Sequence, residues 1–83
     1  MRKEGYYLEG IESSLKQERE RLGLSQKQLA AQIGISERSI FNFEKGRAPS
    51  LQTAIRLSAY FGIPVEQLFR IPDSAVVFSP ETN

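Results

Sequence analysis

The sequence predicts an all-α fold: five short helices in a single compact domain, with short non-helical extensions at either end. Three observations predict it. Apolar residues recur at helical rather than alternating spacing across residues 11–68. Ser25, Ser36 and Ser50 each precede such a stretch, as helix-capping residues do. Gly23, Gly34, Gly46 and Gly62 each follow one, as helix stops do. The rest of the chain is organised around residues 24–46, two amphipathic helix patterns joined by Gly34-Ile35-Ser36. A helix, a short Gly-containing turn and a second helix is the layout of a helix-turn-helix.

Residues 1–10 carry Arg2, Lys3 and Glu4, then Tyr6-Tyr7-Leu8. Gly5 and Gly10 argue against a long helix there. The aromatic pair either docks on the domain, forms a short strand or frays. The first helix is expected over residues 11–22, with Ile11, Leu15 and Leu22 on one face. Leu24 then points inward. Ser25-Gln26-Lys27-Gln28 fits a capping box that opens the second helix, whose inward side is Leu29, Ala30 and Ile33. The small Ala30 lets the third helix cross closely.

The third helix is expected over residues 37–45, with Ile40 and Phe43 facing the core. Glu37, Arg38, Phe41 and Asn42 fall on its other faces. The core stripe does not need Phe41. Pro49 biases Ala48 toward extended backbone, and Ser50 caps a fourth helix over residues 51–61. Its broad apolar face is Leu51, Ala54, Ile55, Leu57, Ser58 and Phe61. Pro64 suits the start of a fifth helix running through Leu68 or Phe69. In the tail, residues 70–83, two prolines bracket Ser74-Ala75-Val76-Val77-Phe78-Ser79, which has the composition of a strand. That segment pairs with Tyr6-Tyr7-Leu8, pairs with a second subunit or stays disordered.

Composition narrows the function classes. Eighty-three residues make one domain at most, with little room for an enclosed active-site cavity. The absence of cysteine and histidine removes disulfides, thiolate metal sites, the commonest general base and the commonest metal ligand. No nucleophile–base pair, Gly-rich phosphate loop or metal-ligand cluster is visible, so neither enzymatic activity nor a cofactor is expected. No apolar run approaches a membrane span and no signal-peptide pattern opens the chain, which predicts a cytoplasmic protein without membrane association. Net charge is only +1, so DNA binding would need segregated charge. Glu4, Glu9, Glu12, Glu18 and Glu20 crowd the N-terminal quarter, whereas Lys27, Arg38, Lys45 and Arg47 lie in or just after the central helix pair.

Residue types in that pair fit base and phosphate recognition. Arg38 can make two parallel hydrogen bonds to guanine, and Asn42 can do the same to adenine. Glu37 can accept from a cytosine amino group, although the helix dipole alone accounts for an acid there. Phe41 either contacts a thymine methyl or packs against the tail. Free amides at the start of the second helix can hold a phosphate. Lys45 and Arg47 suit a phosphate or simply complement a helix C-terminus.

The chain resembles the lambda-repressor-like, or Xre-type, helix-turn-helix family over about residues 11–69. The carriers are Arg-x-x-Leu-Gly-Leu-Ser-Gln at residues 19–26, Leu29-Ala30, Gly34-Ile35-Ser36, Ile40, Glu44, Gly46 and Pro49-Ser50. The string Phe61-Gly62-Ile63-Pro64-Val65-Glu66-Gln67-Leu68 closes the match. No one of these is specific; their common register is. The resemblance implies a sequence-specific transcriptional regulator, most often a repressor, that binds double-stranded operator DNA as a homodimer. It implies that Glu37, Arg38, Ser39 and Asn42 face bases. It implies that Gln26 touches a phosphate and braces the recognition helix, and that Ser25, Lys45 and Arg47 approach the backbone. It also implies a partly buried ion pair between Arg19 and Glu44. The competing expectation is an antitoxin-type or other protein-interaction module on the same fold, gripping a protein partner through the tail.

Overall fold

The computed structural model describes residues 11–72. The expectations for Tyr6-Tyr7-Leu8 and for Ser74 through Ser79 lie outside the described residues. The elements run β1 (Glu12–Ser13), α1 (Leu15–Arg21), α2 (Gln26–Ile33), α3 (Glu37–Glu44), α4 (Leu51–Phe61), α5 (Val65–Leu68) and β2 (Phe69–Arg70). None of these helices is long and apolar enough to cross a membrane.

Local chemistry starts and stops the central helices as expected. Ser25, Ser36 and Ser50 are in extended conformation, and each side-chain oxygen accepts the N–H three residues on, from Gln28, Ser39 and Thr53. At Ser25 the box is complete, because its own N–H donates to Gln28 Oε1 at 2.8 Å. Gly34 ends α2 at φ 85°, a left-handed conformation that costs a residue with a Cβ. Gly46 does the same after α3 at φ 105°. There the Arg47 N–H reaches back to the Asn42 carbonyl and the Gly46 N–H to that of Phe43, a Schellman closure.

Each helix supplies one fully buried side chain: Leu15, Leu29, Ile40, Leu57 and Leu68. Ala30, Ile33, Phe61, Ile11 and Phe69 complete the core, with Leu24 and Phe43 packed against it. Truncating a fully buried leucine of this kind typically costs roughly 2–5 kcal/mol.

Three expectations are corrected. The first helix begins at Leu15, not at residue 11, because Glu12 and Ser13 pair antiparallel with Arg70 and Phe69. Ile11 is buried as expected, but from extended backbone whose N–H donates to the Gly46 carbonyl. Phe69 and Arg70 accordingly form a strand; Pro72, two residues on, has no N–H to extend the ladder. Leu22 lies beyond the end of α1 and is 44% exposed; the inward position one turn after Leu15 is Arg19. On α4 the inward stripe is narrow, comprising Ala54, Leu57 and Phe61. Leu51 and Ile55 are 75% and 54% exposed, because no described element packs over that flank.

Candidate nucleic-acid interface

The α2–α3 hairpin is held by a polar lock at its base. Arg19 is buried, and its guanidinium forks onto Glu44, with Nε to Oε2 at 2.6 Å and Nη2 to Oε1 at 3.2 Å. Nη1 donates to the Leu24 carbonyl at 2.8 Å. Gln26 Nε2 donates to the same Glu44 Oε1 at 3.0 Å. One carboxylate therefore ties α1, the start of α2 and the end of α3 together. An acid is disfavoured at a helix C-terminus, so Glu44 gains from the cation facing it. The hydrogen bond to Glu44 raises the Arg19 pKa above its ordinary value, against the opposing effect of burial. Arg19 thus stays charged at neutral pH.

With α3 fixed from within, its outer face carries most of the predicted base-reading residues. Glu37 and Arg38 are exposed, Asn42 is half-buried, and Phe41 is 37% exposed. Arg38 Cζ lies 5.3 Å from the Phe41 ring centroid and Lys45 Nζ 5.4 Å from it. Ser39 is half-buried and turned toward the helix start, its hydroxyl sharing a 2.9 Å hydrogen bond with that of Ser36. Its expected base-facing role must therefore coexist with this local bond.

The four predicted backbone-approaching residues flank that face. Ser25 Oγ accepts from the Gln28 N–H, which leaves its own O–H to donate. Gln26 has one amide N–H on Glu44 and a second to offer. The backbone N–H groups of Gln26 and Lys27 belong to the first turn of α2, where no intrahelical acceptor exists. Lys45 and Arg47 are exposed at the other end of α3, where the Schellman closure sets the direction of the chain. Sequence reasoning counts Lys27 only toward local charge; its place in that first turn is the signal that adds it to this group.

Among the described residues, no group of three or more acids could hold a metal ion. What the site offers is an array of donors: amides, a hydroxyl, two ammonium groups and two guanidiniums around one exposed helix. That array suits a polyanion with hydrogen-bonding edges.

Comparison with known proteins agrees. The chain is 34% identical over 64 residues to an uncharacterized HTH-type transcriptional regulator of Methanocaldococcus jannaschii, covering 76% of this chain and 97% of that protein. It is also 34% identical over 58 residues to an Archaeoglobus fulgidus protein named for an HTH-type transcriptional regulatory role. That match covers 70% of this chain but 19% of the longer relative. Both relatives are named as regulators and not as enzymes. A helix-turn-helix family model matches residues 15–68, from the first residue of α1 to the last of α5, and the chain belongs to the Cro/C1-type helix-turn-helix family of DNA-binding transcriptional regulators.

Proposed function

We propose that the protein is a sequence-specific repressor that inserts α3 into the major groove of operator DNA and acts as a homodimer in the cytoplasm. The observation that carries this reading is the outer face of α3. Arg38, exposed, and Asn42, half-buried, sit one helical turn apart on it, with phosphate donors at either end. Arg38 reads guanine and Asn42 adenine, each worth roughly 1–3 kcal/mol of discrimination. Glu37 accepts from cytosine, and Ser39 offers its remaining acceptor capacity. Ser25, Gln26, Lys45 and Arg47 set the register on the phosphates.

The dimer rests on geometry and on α4. One recognition helix spans only a few base pairs, whereas a two-fold pair reads half-sites one turn apart, roughly 34 Å. Leu51 and Ile55, one turn apart and exposed, supply apolar surface for a partner subunit. Repression follows from occupying the operator.

Selection of bound duplexes from a random pool, followed by titration against salt, tests the reading. Enrichment of a two-fold symmetric site, with affinity falling steeply as salt rises, is the expected result. Absence of enrichment would sink the DNA reading. It would favour a protein-interaction module, for which binding through an apolar surface would respond weakly to salt.

A further inference from the structure

Phe41 is a costly residue to place on the outer face of α3. The core stripe of that helix is satisfied by Ile40 and Phe43, and a half-exposed aromatic adds nothing to it. What its ring touches instead is charge. Arg38 and Lys45 lie three residues before it and four after it, on the same helix face. Both heads fall within the roughly 6 Å in which a cation is attracted to an aromatic face.

We propose that Phe41 is a positioning residue for DNA recognition: its ring holds the Arg38 guanidinium and the Lys45 ammonium in line along α3, and it does not itself read a base. The inference rests on the DNA reading above and assigns a role within it. Two long cationic side chains on one face repel each other and sample many rotamers. A ring between them offers negative density to each and narrows that sampling. Guanidinium donors lie in the plane of the group, so stacking leaves its edge open toward a guanine. The ammonium keeps donors for a phosphate. A thymine methyl would have to compete for this ring with the two cationic heads already 5.3 and 5.4 Å from its centroid. Preorganisation of this kind lowers the ordering cost of binding.

The test uses the full chain and three variants: Phe41→Leu, which keeps an apolar helix-compatible side chain without the ring, Phe41→Trp, which keeps a ring, and Arg38→Ala. The first readout needs no DNA. Proton NMR of the wild type should show Arg38 Cδ and Lys45 Cε protons shifted upfield by the ring, a shift lost in Phe41→Leu and kept in Phe41→Trp. Equal shifts in wild type and Phe41→Leu would overturn the proposal.

The second readout is affinity for the duplex the wild type selects from a random pool. Phe41→Leu should lose about tenfold, the scale of the ordering cost of two rotamer-rich side chains, with little change in melting temperature. Phe41→Trp should restore most of that loss. Arg38→Ala should cost less in the Phe41→Leu background than in the wild type, because the two act as a unit. Wild-type affinity in Phe41→Leu would overturn the proposal, as would losses that simply multiply, which would mean the ring contacts a base on its own account. If the wild type enriches no duplex, the DNA reading falls and this inference falls with it, whereas the other outcomes count against the inference alone.

Discussion

Helices α3 and α4 are built by the same local rules and present opposite surfaces. Each opens on a serine whose hydroxyl accepts the N–H three residues on, and each gives way to a glycine with positive φ at or just past its end. Each buries an apolar stripe against the same core. On its outer side α3 shows Glu37, Arg38, Phe41, Asn42 and Lys45, whereas α4 shows an apolar ridge of Leu51, Ile55 and Ala59 beside Gln52, Arg56 and Tyr60. Backbone hydrogen bonding and caps are satisfied equally in both, so what separates them is side-chain chemistry on the solvent face. One face is suited to a charged, hydrogen-bonding partner and the other to an apolar one. Helix formation and partner choice are therefore carried by different residues of the same segment, and they should be separable by mutation.

The largest effect should come from a change that breaks α3 from within. Glu44→Ala leaves Arg19 buried without its carboxylate and removes the anchor of Gln26. Loss of one partner of a buried pair costs about 3–5 kcal/mol, which a urea denaturation midpoint would register. An unchanged midpoint would mean that the lock does not hold the hairpin.

Next come changes on the outer faces, which should leave stability alone. Arg38→Ala should lower affinity for the selected duplex by about ten- to a hundredfold and relax preference at one base position. Equal losses on selected and random duplexes would count against base reading. On α4, the double change Leu51→Lys with Ile55→Lys should shift the protein from dimer to monomer in analytical ultracentrifugation. It should weaken binding to the symmetric site by about tenfold or more, since each half-site contact then forms separately. A dimer that persists would move the interface elsewhere.

Smaller effects sharpen the contrast. Lys45→Ala should weaken binding to all duplexes by a similar few-fold factor and reduce the slope of log affinity against log salt by about 1. The smallest effect is expected from pH. The chain has no histidine or cysteine, and the raised pKa of Arg19 means its contribution is fully present below the ordinary guanidinium value and is lost only at strongly alkaline pH. Affinity and stability should therefore vary little between about pH 6 and 8. A marked change there would show that some other group titrates between the states compared.

The elements legible from sequence are those whose causes are local. A capping serine acts on an N–H three residues away, and a stop glycine acts on its own backbone. The starts of α2, α3 and α4 and their ends could accordingly be read to within a residue. The two-residue sheet could not, because Glu12 and Ser13 meet partners from the far end of the domain, and nothing near Ile11 announces them. Ile11 and Leu15 shared a burial pattern, and periodicity took that pattern for one continuous helix. Leu51 and Ile55 depart from the expected face for a related reason: amphipathicity reports that a residue is apolar, not whether another element arrives to cover it.

The same division holds for the candidate site. Residue types at Arg38, Asn42, Lys45 and Arg47 fit recognition chemistry without any coordinates, since a side chain's donors are a property of the residue. The Arg19–Glu44 pair and the bracing role of Gln26 are implied by the resemblance, whereas the sharing of one Glu44 oxygen by Arg19 and Gln26, and the approach of two cations to the Phe41 ring, depend on where the backbone places those atoms. Sequence alone determined which segments become helices, where the central ones begin and end, and which donors the chain possesses, because those depend on interactions spanning a few residues. Tertiary structure alone decided that Leu22, Leu51 and Ile55 stay uncovered, that a strand pair closes the two ends of the domain, and that one carboxylate serves three helices. Those depend on which distant surfaces meet, and the cost of an uncovered face or an unpaired charge is settled only when they do.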